Sequence, residues 1–383
     1  MSVLSGVGSH ILITGGAGFI GSHFAKMALA AGHAVTILDN LSLQVHGDAP
    51  DFQPMPSVCF VKGDVTVRAD VERALANVDT IVHLAAETGT GQSMYEIERY
   101  YRVNVQGTAL LFDVLANQEH EVDNFVLASS RSVYGEGAYI CRSCEPNGRR
   151  CFPSVRSPQQ LAAHDWSPRC PDCFSPAEPA ATREDDRLAP ASIYAATKLA
   201  QEDLVRVACS SLGIPHAILR FQNVFGEGQS LKNPYTGILS IFSTRFRLGL
   251  PIDIFEDGEE SRDFVHVEDV AAAILKCAES PAAGGVTLNV GRGEPVSVMA
   301  LARLLGQQLR SDVQPAANNR YRVGDIRHNF ADMSRFEAVN GSMPRISLEE
   351  GLRRFCDWVS TQPIPGDLLD NANAELETRK LMG

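Results

Sequence analysis

Residues 10 to 31 constrain this chain more than any other stretch. His10–Thr14 (HILIT) is a short apolar run, Gly15–Gly21 (GGAGFIG) a glycine-rich turn, and the residues through Ala31 carry helical spacing. Few folds are open to a strand that feeds a helix through Gly15, Gly18 and Gly21. Glycine permits the tight turn, lets backbone approach a pyrophosphate and allows close helix–strand packing. The pyrophosphate then rests on free N–H groups at the helix N-terminus, where the helix dipole favours negative charge. A glycine trio alone is a weak signal, and an ordinary glycine-rich loop is the plain alternative. The strand–turn–helix context favours a dinucleotide site.

Further strands follow at Ala34–Leu38, Val58–Lys62, Thr80–Leu84, Asn124–Ala128 and His216–Phe221. Helical spacing falls at Ala69–Ala76, Arg99–Asn117 and Ser192–Ser211. This alternation predicts an α/β fold, a doubly wound parallel sheet with helices on both faces. Asp39 ends the second strand, at the distance where a carboxylate can accept hydrogen bonds from an adenosine ribose. Asn40 to Gln44 contain no Arg or Lys to hold a 2′-phosphate, which favours NAD over NADP. Asp64 could meet the adenine edge, or could simply cap a helix.

Tyr194 and Lys198 stand four apart in SIYAATK, on one face at the start of a helix. Chance alone produces Y-x-x-x-K in about one such chain in eight, and a surface i,i+4 pair is the bland reading. Ser130, at the end of the fifth strand in ASSRSVYG, changes the odds. Ligands of parallel sheets bind outside the carboxyl ends of the strands, where Ser130 and Tyr194 could converge. A tyrosine with pKa near ~10 is a poor base at neutral pH. A neighbouring ammonium and a positive nicotinamide would both favour its phenolate. Tyr194 could then take a proton from a hydroxyl, Ser130 could hold the same oxygen, and Lys198 could bind the nicotinamide ribose.

Between Glu136 and Arg183 the periodicity vanishes. A structureless stretch of that length inside a compact domain needs something else to hold it. Cys141-x-x-Cys144 and Cys170-x-x-Cys173 offer an answer: four thiolates around one tetrahedral zinc, a closed and therefore structural site. Metal binding would supply the folding energy that this zinc-ribbon-like module lacks in apolar core. Cys151 and His164 are possible replacement ligands, and free or oxidised thiols are the alternative. Because the segment leaves the chain just after Tyr134 and rejoins it shortly before Tyr194, a flap beside or over the reacting centre is expected, with an oligomerisation or stability element the alternative.

The 34 basic and 46 acidic residues give a net charge of −12, which argues against a nucleic-acid partner. The N-terminal lead lacks the pattern of a signal peptide, and no apolar run reaches the ~18 residues that span a bilayer. A soluble cytoplasmic protein is expected, its nine cysteines thiols or metal ligands rather than disulfides. Four regions result. A dinucleotide-binding domain takes 1–135 and 184–225, and the four-cysteine insertion 136–183. A smaller, irregular C-terminal lobe, with a helix near Ile238–Arg247, takes 226–362, and a polar tail 363–383.

Several segments resemble one family. TGGAGFIG, LDN (Leu38–Asn40), GDV (Gly63–Val65), HLAA (His83–Ala86), SSRSVYG and YAATK occur in the order seen in extended short-chain dehydrogenases. LRFQNVFG (Leu219–Gly226), SRDFVHVEDVA (Ser261–Ala271) and GDIRHNFAD (Gly324–Asp332) resemble the nucleotide-sugar epimerases of that family. The resemblance implies a Rossmann domain holding NAD, with Phe19, Ile20, Asn40, Val65, Leu84, Ala85, Ala86 and Asn104 joining the glycines, Asp39, Asp64, Tyr194 and Lys198. It implies substrate contacts from Glu87, Ser130 and Arg131, and from Asn223, Arg262 and Arg322 around a nucleotide diphosphate. Arginine forks suit phosphate oxygens on physical grounds too, although surface ion pairs are the alternative. A homodimer is implied by resemblance only.

Within this family, 4,6-dehydratases carry an Asp-Glu pair after the serine, and uronate decarboxylases usually keep a Glu. Here those positions hold Arg131 and Ser132, which disfavours elimination and fits a 4-epimerase. AAETGTGQSMYE (Ala85–Glu96), SSRSVYGEGAY and NPYTGILSIF (Asn233–Phe242) are similar to the dTDP-L-rhamnose 4-epimerase-like group. A UDP-hexose or UDP-uronate epimerase and a 4-keto-sugar reductase are alternatives. A non-catalytic nucleotide-binding protein is disfavoured by the intact Ser130, Tyr194 and Lys198.

Overall fold

Ile11 and Ile13 pack on one face of their strand and Leu12 on the other, and all three are fully buried. A strand covered on both faces belongs inside a parallel sheet flanked by helices. The computed structural model, which describes residues 8–47, 53–231, 237–282, 284–341, 344–366, 369–379 and 381–382, contains that sheet. Its strands are β1 (His10–Thr14), β2 (Ala34–Asp39), β3 (Val58–Lys62), β4 (Thr80–His83), β5 (Asn124–Ser130), β6 (His216–Phe221) and β7 (Val286–Val290). They run parallel in the order 3-2-1-4-5-6-7. Phe24 and Ala28 of the helix Phe19–Ala30 seal one face with Ile13, Ile37 and Val82. Leu111 and Leu115 of Gly107–Asn117 seal the other with Leu12, Ile81 and Phe125. Strand order reverses between β1 and β4, which opens a crevice at the carboxyl ends.

The helix expected over Arg99–Asn117 starts at Ile97 and is interrupted by a wider π turn at Tyr101–Gln106. Side chains inside such a turn leave the usual helical register, and Asn104 becomes fully buried.

Beyond residue 226 the chain both builds the lobe and returns to the sheet. β7 pairs with β6, and the helix Val267–Glu279 packs on Phe19–Ala30. The lobe has its own core, with Phe225, Phe242, Phe246, Leu301, Leu305 and Phe355 buried together. The polar tail carries a helix at Leu369–Thr378. Asn233 to Thr236, part of one family-like segment, lie outside the described residues.

The insertion is a small antiparallel sheet in which Tyr139–Cys141 lies between Arg149–Cys151 and Glu178–Pro179. Its apolar core amounts to Tyr139 and three cysteines with little around them. It leans on the C-terminal lobe. Arg156 forms a buried ion pair with Glu256 at 2.7 Å and donates to the Asp325 carbonyl at 3.1 Å. Thr182 donates to the Phe330 carbonyl and accepts from Asp332 N–H, at 2.9 and 2.8 Å.

Candidate active site

The glycine turn sits where side chains would collide. A Cβ on Gly15, whose φ is +70°, would lie 2.8 Å from Ala85 N, and one on Gly21 would lie 2.4 Å from Gly15 O. Gly18 caps the helix Phe19–Ala30 without a side-chain bond, leaving its first N–H groups to a ligand. The turn, β2 and the ends of β4 and β5 enclose a cleft of about 480 Å³. Every residue assigned to the cofactor lines it except Asn104. The Asn104 amide is spent inside, on Glu87 N, Glu87 O and Thr197 Oγ1 at 2.8, 3.1 and 3.0 Å. The structure thus places Asn104 behind the cleft, its amide holding the loop after β4.

Asp39 accepts from Ala17 N–H at 3.0 Å and Leu41 N–H at 2.9 Å, tying the glycine turn to the end of β2. Asp64 does not cap a helix, because Val67 holds the N-cap of Arg68–Ala74. Burial opposes its charge, but hydrogen bonds from Thr66 and Asn40 outweigh burial and hold its carboxyl below the usual range. His46 also lines the cleft, 3.9 Å from Asp39. It lies just past Asn40 to Gln44, the segment that holds no Arg or Lys.

Ser130 ends β5, and Ser192 caps the helix Ile193–Leu212 by accepting from Ala195 N–H at 3.2 Å. Those two ends bring the Ser130 and Tyr194 side chains to the same wall of the first cleft. Burial pushes the Tyr194 phenol up, against the opposing pull of Ser130 and Arg131. Lys198, one turn on, donates to the Ala128 carbonyl at 3.0 Å. Burial lowers its ammonium to about 8, and Glu202 pulls the other way.

Behind Lys198, His83 is held by Thr14 Oγ1 at 2.7 Å and Thr108 Oγ1 at 2.9 Å. Burial, then the charge on Lys198, push this imidazole down to about 3. It should stay neutral in the native protein, while in the unfolded chain the imidazole takes up a proton near 6.5. Its contribution to stability is thus complete above that value and is lost as pH falls toward about 3. Nitrogen chemical shifts of the ring should not titrate between about pH 8 and pH 5; a midpoint inside that window would overturn the assignment.

A second cleft of about 320 Å³ adjoins the first, and Arg131 and Asn223 line both. Arg131 Nε donates to Asn223 Oδ1 at 2.8 Å. Burial, then Arg262, lower its guanidinium to about 9. Arg262 reaches Asp325 at 3.0 Å, and Arg322 stacks 4.6 Å above Phe255. Desolvation opposes the charge on the half-buried Asp325, but Arg262, Arg322, Arg156 and Arg131 outweigh that and keep it low. The cluster is cationic in excess, as a diphosphate requires. Glu87 lines the first cleft, but its carboxylate is paired with Arg99 at 2.8 Å, a partner missing from the sequence reading. Arg320 and Asn373 were missed too, having no local motif to mark them, and Asp325 was passed over although it lies within GDIRHNFAD.

No residue between 136 and 183 lines either cleft. The expected flap is corrected: the insertion backs the second cleft through Arg156 and does not cover the reacting centre. Its Cys141, Cys144, Cys170 and Cys173 sulfurs all lie within 4.8 Å of one another. Cys151 and His164 stand outside this group, and His164 stacks on Trp166.

These features define a dinucleotide-binding sheet with a serine–tyrosine–lysine centre beside a cationic cleft. The model of the NAD-dependent epimerase/dehydratase family matches residues 11–152 and 171–291. The chain belongs to that family. It is 38% identical to a dTDP-L-rhamnose 4-epimerase of Burkholderia thailandensis, over 93% of this chain and 96% of that one. Among solved structures it resembles the UDP-N-acetylglucosamine 4-epimerase of Methanobrevibacter ruminantium, with TM-score 0.73, 28% identity, and coverage of 94% and 100%. The UDP-glucose 4-epimerase of Thermotoga maritima gives TM-score 0.74 at 26% identity, with coverage of 92% and 98%.

Proposed function

We propose that this chain is an NAD-dependent nucleotide-sugar 4-epimerase. The observation that carries the reading is the convergence of Ser130, Tyr194 and Lys198 in the first cleft, beside the arginines of the second. NAD fits the residues present, because the glycine positions leave no room for side chains and Asp39 stands at the end of β2. Bound NAD would take a hydride from C4 of the sugar and return it to the opposite face. Tyr194 would receive the C4 hydroxyl proton, Ser130 would hold that oxygen, and Lys198 would bind the nicotinamide ribose. Since burial alone raises the Tyr194 phenol, its use as a base depends on positive charge brought close to it. Arg131 already acts in that direction.

Arg131 and Ser132 line the first cleft where elimination would call for acid–base carboxylates, which supports epimerisation over dehydration. Conversion of dTDP-L-rhamnose to dTDP-6-deoxy-L-talose is the favoured reaction, on the strength of the near full-length 38% identity. A UDP-uronate is the second reading, because the Arg131 guanidinium beside the reacting centre suits a sugar carboxylate. A panel of nucleotide sugars incubated without added cofactor, with products resolved by NMR, tests both. Denatured protein should release NAD, about one per chain by the single-site reading. Release of NADP, or NADH appearing in step with turnover, would overturn the epimerase assignment.

One structural zinc in the insertion belongs to the same proposal. Tetrahedral Zn–S bonds of ~2.3 Å put thiolates ~3.8 Å apart, and the Cys141–Cys173 and Cys144–Cys170 sulfurs stand 3.4 and 3.6 Å apart. A homodimer would cover Ile97, Tyr101 and Val207, exposed on two helices that pack together. No described helix is long and apolar enough to cross a membrane.

A further inference from the structure

We infer that residues 369–379 and 381–382 form a strap across the nucleoside end of the second cleft and contribute to nucleotide recognition. This rests on the nucleotide-sugar reading above. Leu369, Asn373 and Leu381 line that cleft, although nothing in their sequence marks them as a binding element. Their end of the cleft follows from which residues the two clefts share. Arg131 and Asn223, with Thr90, Gly237 and Ile238, line both, so the sugar is placed at this junction, beside the cleft that Tyr194 lines. The tail residues, with Asn318 and Arg320, line only the second cleft. A substrate whose sugar faces Tyr194 and whose diphosphate meets Arg262 therefore carries its nucleoside toward the tail.

The strap is tied down on two sides. On the lobe, Val323 N–H donates to the Leu381 carbonyl at 3.0 Å, and Arg322 forms an antiparallel bridge with Met382. Arg322 also donates to Asn373 Oδ1 at 3.1 Å, and Arg320 pairs with Glu377. On the other side, the Tyr95 hydroxyl donates to Glu375 at 3.0 Å, and Arg379 stacks 4.0 Å over the Tyr95 ring. Tyr95 directly follows Met94, which lines the cleft together with Thr90 and Gly91. The segment thus bridges the loop after β4 and the lobe. These are a few separate hydrogen bonds, one cation–π contact and one exposed ion pair, Arg320–Glu377, each worth little alone. The strap can therefore release to admit the nucleotide while the lobe core stays folded.

Two variants of the full protein test this: a chain ending at Pro363, and Asn373→Ala combined with Leu381→Ala. Calorimetry with thymidine diphosphate and uridine diphosphate reads nucleotide affinity, and released NAD reads the cofactor site. Both variants should keep their NAD yet lose about tenfold or more in nucleoside diphosphate affinity. The Michaelis constant for the nucleotide sugar should rise with it, with kcat little changed. Affinity within about twofold of the unmodified protein, in a variant that retains NAD, would overturn the strap. If the shortened chain does not hold NAD, the double variant decides alone. Failure of the epimerase reading would look different: nucleoside diphosphate binds, and no nucleotide sugar is turned over.

Discussion

Tyr194→Phe should lower kcat by about 10²- to 10⁴-fold, the usual contribution of a positioned general base, with NAD content and folding preserved. The reason is local. Only the phenolic oxygen is removed, while the ring keeps its edge-on contact with Tyr100 at 6.5 Å and the helix cap at Ser192 is untouched. Single-turnover kinetics with a nucleotide sugar, alongside the nucleotide released on denaturation, separate chemistry from binding. A variant retaining more than about a tenth of the rate would remove Tyr194 as the base. Ser130→Ala should act on the same step but more mildly, since it deletes a hydrogen bond to the reacting oxygen and leaves the titrating group in place.

The second large effect is expected from the cysteine cluster. Cys141→Ser together with Cys170→Ser takes one ligand from each C-x-x-C pair. Metal analysis should fall from about one zinc per chain to none, as a single four-thiolate site requires. With so small an apolar core, the insertion should then unfold, since metal binding supplies its folding energy. The seven-stranded sheet should survive, because its strands lie outside residues 136–183. Loss of the insertion also removes Arg156 from Glu256 and from the Asp325 carbonyl. The buried Glu256 carboxylate would keep only Arg327, at 2.8 Å, and losing one of its two cationic partners would weaken the back of the second cleft. Nucleotide-sugar affinity should consequently drop while bound NAD stays. Protein purified without chelator and found free of zinc would end the zinc assignment. Unchanged affinity in the double variant would end the bracing role of Arg156.

The sequence by itself determined what is written in local patterns. Ile11, Leu12 and Ile13 announce a strand buried on both faces, and Gly15, Gly18 and Gly21 announce the turn that follows it. Tyr194 and Lys198 lie on one helix turn, and the two C-x-x-C pairs are each closed by their own short loop. In all of these the partners sit within a few residues, so spacing along the chain is also spacing in space. The tertiary structure decided the rest. A π turn sends Asn104 inward, a geometry that apolar periodicity does not encode. β7 returns to the sheet from within the lobe because its partner β6 offers a free edge, not because VTLNV differs from other short apolar runs. Arg131, Asn223, Arg262 and Arg322 converge from four separate segments. Arg156 meets Glu256 across 100 residues, and the tail meets Tyr95 across 280. Contacts at such separations are charge pairs and hydrogen bonds without period. Only folding, by bringing distant surfaces together, selects which of many possible partners each group finds.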